Sequence, residues 1–539
     1  MRENRNRSIV VQGGILAVAG ILTKIIGFVY RIPMANMLGE QGNGIYSVAF
    51  DIYNIALTLS SYSLPAAVSK MISERIGRRQ RGGERHVFRV ALRFALIAGT
   101  AAFAILFLGA AGLEKIYHCE GLARALRVLA PTTFVVAILG VLRGWFQGSG
   151  SMVPTAISQV LEQTVNAAVS LLATWQLMHA FAASGEAASY GAAGGTAGTL
   201  AGAGAALLFM GLLILLGRPA DRSRLAQDSA ETDRMVLKAL VLTVVPLVLS
   251  QTIYQLGNTL DDLMFERLMA AGGTDSKTAS ALLGVYNSQY NQMTTMPVAV
   301  TTAMAASLLP GVALLHAQGK RREAMRRAET VVKLNMAVAI PSAVGLAVLA
   351  GPIMRLLFPS LTTYQPVAIR LLQFGSAAVV FYALSTITAA VLQGSDFMNL
   401  PVICAAAALL GHLLLVFLLL RTTKLGVYVL VIGNVTFPAA LSALNCLAVR
   451  RCLRFRWQPG RMFGVPALAA ALMGLLAWAL NAGLTALGAP SAVTLVLTVL
   501  LAAAFYAVVL LRLGCFSAQE LRELPKGRYL LRLAGFAEK

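Results

Sequence analysis

The sequence is short of charged residues. Asp, Glu, Lys and Arg together make up 13% of the 539 residues, whereas a soluble globular domain carries about 25%. Hydrophobic residues make up 57%. This balance excludes a soluble enzyme, a disordered chain and a coiled coil, and it is typical of a polytopic helical membrane protein.

Acidic residues are scarcer than basic ones. There are 23 Asp and Glu against 45 Lys and Arg, a formal net charge of +22. In a soluble protein this excess would indicate nucleic-acid binding. Here the basic residues stand in short blocks between apolar stretches, and such blocks mark cytoplasmic loops. The segments near 32–44, 179–197 and 481–490 have no Lys or Arg. The alternation therefore predicts both termini in the cytoplasm and no nucleic-acid partner.

Metal-ligand spacings and catalytic motifs are missing. The five cysteines form no CxxC or Cys/His pattern, and GxxxxGK[ST], HExxH and GxSxG do not occur. No cleavable signal peptide is predicted at the N-terminus. We expect a protein that is not an enzyme and has no resident cofactor or metal. If it moves a solute uphill, a coupling cation (Na⁺ or H⁺) or the membrane potential would drive it.

Long apolar stretches dominate what is present. Because a helix needs about 20 apolar residues to cross the hydrocarbon core, the sequence predicts an all-α, polytopic integral membrane protein with about fourteen transmembrane helices. The predicted spans are 10–31, 45–66, 88–112, 122–143, 153–178, 198–217, 239–266, 281–312, 331–350, 368–392, 399–420, 427–449, 463–485 and 491–513.

An internal repeat organises these spans. The second span ends in Leu-Pro and a basic loop, and the same pattern recurs about 245 residues later. Residues 146–154 and 392–401 share Gln-Gly-Ser followed by Met and Pro, at nearly the same offset. The repeat predicts two six-helix lobes related by a pseudo-two-fold, which is a transporter plan. The predicted domains are 1–220 (spans 1–6), 221–450 (spans 7–12), 451–514 (a C-terminal helix pair) and 515–539 (a basic cytoplasmic tail).

Several predicted spans carry polar faces. A charge near the bilayer centre costs about 2.5–3.5 kcal/mol, so these faces should meet protein or a water-filled cavity. In the second span the face is Ser47, Asp51, Asn54, Thr58 and Ser61, and in the seventh it is Gln251, Gln255, Asn258 and Asp262. Equivalent faces on spans 1, 2, 7 and 8 predict one central aqueous cleft.

Some of these residues have plainer explanations. Ser and Thr often join membrane helices by hydrogen bonds, and the glycines of 191–202 indicate close packing or a loose loop. Arg31 either reaches the cleft or extends to the outer interface. Arg143, at a cytoplasmic helix end, either extends to the interface, contacts phosphate or faces the cavity. Lys24, Glu162 and Asp262 fall well inside their spans.

Four segments carry a family resemblance. They are 23–28 (TKIIGF), 38–46 (LGEQGNGIY), 64–70 (LPAAVSK) and 143–148 (RGWFQG). With the two-lobe plan, the chain resembles the multidrug/oligosaccharidyl-lipid/polysaccharide exporter superfamily over essentially its whole length. Within it, the chain resembles the MurJ-like lipid II flippases and the stage V sporulation protein B group of Gram-positive bacteria.

The resemblance implies a flippase of the bacterial plasma membrane. It would carry an undecaprenyl-pyrophosphate-linked cell-wall or polysaccharide precursor from the inner to the outer leaflet by alternating access. Lys24 matches a cavity arginine of the Gram-negative members, but Tyr30, Leu57 and Gln292 stand where other arginines are expected. Lipid-linked oligosaccharides other than lipid II therefore stay open. The implied partners are such a lipid and the membrane itself, and we expect a monomer.

Three groups of site residues follow. The expected substrate contacts are Lys24, Arg31, Asn54, Gln251, Gln255, Asn258, Asn291 and Gln292, because cations can pair with pyrophosphate and amides can bind sugar or peptide. The expected charge-balancing or ion-coupling residues are Asp51, Glu162, Asp261 and Asp262. The expected cytoplasmic gate is Arg143, Gln147 and Gln393.

Two other functions remain open. The acidic residues of spans 2, 5 and 7 also fit a cation-coupled multidrug antiporter of the same superfamily. A membrane scaffold for envelope assembly that transports nothing is the third hypothesis.

Overall fold

A computed structural model describes residues 2–77, 81–216, 232–453, 455, 457–518 and 520. Every regular element among them is helical, and the chain divides into two compact units, 1–284 and 285–539. In the first unit the helices are α1 (Arg2–Leu57), α2 (Leu64–Gly77), α3 (Arg81–Tyr117), α4 (Leu122–Gly148), α5 (Val153–Ala180), α6 (Ala187–Leu216), α7 (Asp233–Ala271) and α8 (Ser276–Gly284). A π-helical turn, Thr58–Tyr62, joins α1 to α2, and a 3₁₀ turn, Ala182–Ser184, precedes α6.

The second unit opens with a π-helical segment, Val285–Tyr290. Its helices are α9 (Asn291–Ala317), α10 (Arg321–Val348), α11 (Ala350–Leu357), α12 (Gln365–Gly375), α13 (Ala378–Gly394), α14 (Asn399–Thr422), α15 (Tyr428–Leu453), α16 (Val465–Ala486) and α17 (Ser491–Arg512). A further π-helical turn, Gly460–Gly464, precedes α16.

Nine helical stretches in the described residues are long and apolar enough to cross a membrane, or ten if the bent pair of α12 and α13 counts as one span. This confirms the predicted all-α polytopic fold, whereas the number of about fourteen spans stays a prediction. Helix α5 is 28 residues long but too polar to be among the nine.

The segment 32–44, which separates the first two predicted spans, is helical and not an irregular loop. Helix α1 continues through it and is interrupted only at Gly39, whose φ of 66° and ψ of −172° lie outside the helical region. A positive φ is open to glycine at little cost, so one residue is enough to redirect the chain. The side-chain amide of Asn43 donates to the carbonyl oxygens of Ala35, at 2.7 Å, and Gly39, at 2.6 Å, and so holds the bend.

The first compact unit extends beyond the predicted first lobe. The predicted boundary at 220/221 lies outside the described residues, so the two lobes stay a prediction. Helix α7 nevertheless packs on α2 and α3, where Val236, Leu240 and Val244 join an apolar cluster that includes Val87 and Val90. Residues 233–284 therefore belong to the first unit.

Helices α5 and α6 pack with unusually close backbones. A Cβ at Gly194 would lie 2.7 Å from the backbone of Ala173, and one at Gly202 would collide with the carbonyl oxygen of Glu162. Small residues allow this approach. The glycine series is thus a packing stripe, and it sets which face α5 turns towards its neighbours.

In the second unit, buried apolar side chains join α10, α13 and α15 to the last two helices. Lys333 of α10 is 4% exposed and lies 3.0 Å from the Glu329 carboxylate and 3.1 Å from that of Glu520. Cys515 and Phe516 are buried in the same cluster. These contacts pack the residues just after α17 against α10.

Candidate functional site

The first polar cluster forms around the bend in α1. The guanidinium of Arg31 lies 5.3 Å from the ring centre of Phe50, beyond the bend, which is a cation–π distance. The hydroxyls of Tyr30 and Tyr46 and the carboxyl of Asp51 also lie close to this guanidinium. Because Gly39 turns the chain back, residues far apart along α1 meet around one cation.

Helix α5 supports this cluster. The side-chain amide of Asn166 donates to the Tyr30 hydroxyl at 3.3 Å. The Ser170 hydroxyl lies 3.0 Å from Oδ1 of Asn166 and 2.7 Å from the carbonyl oxygen of Gly195 on α6, and its one proton can be donated to either. Arg31 itself keeps one spare donor, because its Nε is buried and has no hydrogen-bond partner among the described residues.

Two carboxyl groups meet beside Arg31. The carboxyl group of Asp51 lies close enough to Asp262 on α7 and to Arg31 to interact with both electrostatically, and Asp261 and Asp262 are 4% and 1% exposed. Two neighbouring carboxylates repel each other when both are ionised, and a nearby guanidinium offsets part of that repulsion. Arg31 and this pair therefore form one network that joins α1 to α7.

A third polar group lies near the ends of α7 and α8. Glu266 is 1% exposed, and its carboxylate accepts a hydrogen bond of 3.1 Å from the Ser280 hydroxyl, which also lies 3.5 Å from Sγ of Cys119. Cys119 sits in the turn between α3 and α4. Burial, together with the nearby charge of Glu266, raises the pKa of this thiol to about 12.

Two glycines bring α1 and α8 into backbone contact at this place. A Cβ at Gly44 would collide with the carbonyl oxygen of Ser280, and one at Gly284 would lie 2.6 Å from the carbonyl oxygen of Glu40. Gly44 and Gly284 each stand before a hydrophobic residue and a tyrosine, a loose sequence match.

An ion pair joins α4 to α5. Nη2 of Arg143 lies 2.7 Å from Oε2 of Glu162, and its Nε donates to the Ser158 hydroxyl at 2.9 Å. The Arg143 and Glu162 side chains are 13% and 21% exposed. The four-residue connection 149–152 places both near the same end of the helix hairpin.

In the second unit, polar side chains of the π-helical segment bond to the start of α9 and to residues of α12 and α15. The Asn291 amide donates to Oδ1 of Asn287 at 3.1 Å, and Gln292 is 9% exposed. Tyr290 is fully buried, and its hydroxyl lies 3.0 Å from the carbonyl oxygen of Gly375 and 2.9 Å from Oδ1 of Asn434.

The structure joins some predicted site residues and leaves others apart. It brings together Arg31, Asp51 and Asp262, and separately Arg143 and Glu162. Lys24 and Asn258 are exposed, whereas Asn54, Gln147 and Gln393 are half-buried. The Gln251 and Gln255 side chains lie outside the described part. The roles predicted for all these residues stay predictions.

Among the cluster members that were not predicted as site residues are Tyr30, Ser158 and Glu266. Glu266 could have been found, because it stands one helical turn after Asp262 at the end of an apolar stretch. Tyr30 and Ser158 give no such signal, since tyrosine and serine are common on ordinary membrane helices.

Comparison with known proteins gives consistent matches. Residues 10–316 match the family described as "Polysaccharide biosynthesis protein". Stage V sporulation protein B of Bacillus subtilis (strain 168) is 26% identical over 524 residues, which cover 96% of this chain and 98% of that protein. Lipid II flippase MurJ of the same organism is 25% identical over 406 residues, 72% of this chain and 73% of that protein.

Two solved structures share the fold. An inward-facing multidrug resistance MATE family transporter superposes with a TM-score of 0.66 at 18% identity, covering 80% of this chain and 94% of that one. Lipid II flippase MurJ in an inward closed conformation gives a TM-score of 0.66 at 13% identity, covering 92% and 97%.

Proposed function

Since the chain belongs to the polysaccharide biosynthesis protein family of the multidrug/oligosaccharidyl-lipid/polysaccharide exporter superfamily, we propose that it is a lipid-linked precursor flippase. The cargo is an undecaprenyl-pyrophosphate-linked saccharide, lipid II or a related lipid, which moves from the inner to the outer leaflet by alternating access. The chain would act as a monomer in a bacterial plasma membrane with both termini in the cytoplasm.

Arg31 carries this proposal. A guanidinium inside a membrane-spanning region costs free energy, so an arginine in this position indicates a functional site. Arg31 is surrounded by two tyrosines, a phenylalanine and a carboxyl group, and its Nε has no hydrogen-bond partner within the described residues. Guanidinium groups bind phosphate oxygens through two N–H donors at once. A pyrophosphate head group would use the spare donor and keep its prenyl chain in lipid.

The pair of Asp51 and Asp262 supplies the coupling in this proposal. Two neighbouring carboxyl groups favour the uptake of one proton and could instead hold a cation. Because Asp51 lies beside Arg31 and Asp262 is on α7, loading this pair changes the charge around the substrate cation. We propose H⁺ as the coupling cation, with Na⁺ and the membrane potential as the alternatives.

Lipid-linked intermediates test the proposal directly. Depletion of the protein should cause one undecaprenyl-pyrophosphate-linked saccharide to accumulate in the inner leaflet, identified by mass spectrometry of extracted lipids. Arg31→Ala should fail to reverse the accumulation at a normal protein level, and Arg31→Lys should restore part of it. Depletion without any such accumulation would refute the flippase function.

The second candidate is a cation-coupled multidrug antiporter. The carboxyl pair favours it, because such groups suit both cationic drugs and a coupling proton, and a MATE transporter shares the fold. It predicts resistance to cationic dyes on expression, lost in Asp262→Asn. A scaffold that transports nothing predicts instead that Arg31→Ala and Asp262→Asn both behave like the wild type.

A further inference from the structure

The ion pair between Arg143 and Glu162 leaves hydrogen-bond donors of Arg143 unused. A guanidinium has five N–H donors. Arg143 donates one hydrogen bond to Ser158 and one to a single oxygen of Glu162. Its Nη1 has no hydrogen-bond partner in the part of the chain that the structure describes. Lys333 shows the contrast, since at 4% exposure it lies against two carboxylates.

The position of the pair suits an incoming head group. Arg143 is five residues, about 7.5 Å, before the end of α4, and Glu162 is nine residues, about 13.5 Å, after the start of α5. Both side chains keep some exposure. The pair is thus close to the surface at one end of the hairpin, the end predicted to be cytoplasmic.

We propose that Arg143 is a phosphate-receiving site whose resting counter-ion is Glu162, and that the pyrophosphate of the substrate displaces the Glu162 carboxylate when it binds. The identity of the lipid rests on the proposed function, whereas the binding of a phosphate group by Arg143 does not depend on it. Glu162 balances the charge of Arg143 while the site is empty, since an unpaired buried cation is costly. A pyrophosphate outcompetes it because it carries more charge and more acceptor oxygens than one carboxylate.

The proposal predicts opposite effects for the two members of the pair. Arg143→Ala removes a charge-assisted contact and should weaken binding about tenfold or more. Glu162→Gln keeps the shape and removes the competing charge, so it should tighten binding about fivefold. A purely structural ion pair predicts that both changes weaken binding alike.

The test measures binding to the purified full-length chain in detergent, by native mass spectrometry and competition. The probes are undecaprenyl pyrophosphate and inorganic pyrophosphate, which distinguish a lipid head group from a free anion. Arg143→Lys keeps the charge and should fall between the wild type and Arg143→Ala. It also serves if Arg143→Ala does not fold.

A second Arg–Glu pair provides the matched control. Arg124, at the other end of α4, lies 2.8 Å from Glu186, and the two side chains are 36% and 51% exposed. Arg124→Ala and Glu186→Gln should leave the binding of both probes unchanged. Unfolding midpoints of all variants show whether a weakened variant is merely less stable.

The outcomes separate this inference from the proposed function. If undecaprenyl pyrophosphate binds the wild type and Arg143→Ala equally, or if Glu162→Gln weakens binding, the phosphate site is refuted and the flippase stands. If the lipid does not bind but inorganic pyrophosphate binds in an Arg143-dependent way, the site stands and the flippase loses its support.

Discussion

The glycine contact between α1 and α8 makes a quantitative prediction. In Gly44→Ala the new Cβ would meet the backbone of Ser280, with its carbonyl carbon only 2.6 Å away. Backbone atoms of a packed helix cannot rotate aside as a flexible side chain can. The variant should therefore move α8 away from α1.

The size of the effect follows from the cost of overpacking. Inserting a group into a packed contact costs about 1–3 kcal/mol. Conformations in which α8 stands apart from α1 do not carry this cost, so their population relative to the packed one should rise about 5- to 150-fold. This range is wide enough to measure and is set by the backbone contact alone.

The thiol of Cys119 reports the change. It is fully buried beside Ser280 of α8, and its raised pKa of about 12 leaves little of the reactive thiolate at neutral pH. If α8 withdraws, the thiol loses both its cover and the cause of its high pKa. With Cys404, Cys446, Cys452 and Cys515 replaced, Gly44→Ala should react with a maleimide about 5- to 150-fold faster.

Two further variants control the experiment. Gly20→Ala changes the same helix at a place where a Cβ meets nothing within 4 Å, so it should label like the parent protein. Gly284→Ala disrupts the same contact from the α8 side, and its labelling rate should match that of Gly44→Ala. Labelling of Gly44→Ala at the parent rate, with an unchanged unfolding midpoint, would refute the reasoning.

Three other changes concern stability, each measured as the unfolding midpoint in detergent. Burial raises the pKa of Glu520, but hydrogen bonds from Ser517 and Lys333 outweigh it and the pKa is lowered. The stabilisation that Glu520 provides is therefore present above the ordinary glutamate pKa of about 4.3 and is lost as the pH falls through the lower folded value. Glu520→Gln should lower the midpoint at pH 7, and the difference should vanish in acid. Tyr290→Phe removes a buried hydroxyl bonded to Gly375 and Asn434, and should destabilise the chain by about 1–3 kcal/mol. Gly39→Ala should cost about 1–2 kcal/mol although a Cβ there meets nothing within 4 Å, because only the positive φ is strained; a loss no larger than in Gly20→Ala would contradict this.

Composition and periodicity were enough to predict the helical membrane fold and the polar faces. Asp51 and Asp262 each belong to a polar face whose residues recur at helical spacing, and for this reason the sequence predicts that both line one cleft. The bend at Gly39 could not be predicted from composition or periodicity. Gly42 and Gly44 follow within five residues, and nothing local decides which glycine takes the positive φ.

The pairing of Arg143 with Glu162 was also beyond local reasoning. The sequence predicts Arg143 as part of a cytoplasmic gate and Glu162 as a charge-balancing residue, with nothing that links the two. Whether they meet depends on how α5 is rotated about its own axis. The packing of Gly194 and Gly202 against α5 sets that rotation, and such long-range contacts leave no periodic signal on α5 itself.

The polarity of α5 also has a consequence for how the protein is made. A segment that carries the charge of Glu162 and the amide of Asn166 partitions less readily into lipid by itself, since a charge within a span costs up to about 2.5–3.5 kcal/mol at the centre and less towards the ends. Its partner α6 is among the apolar stretches and follows only six residues later, with backbone contact along the glycine stripe. During synthesis α5 would thus wait at the translocon until α6 emerges, and the two helices would enter the bilayer as a hairpin.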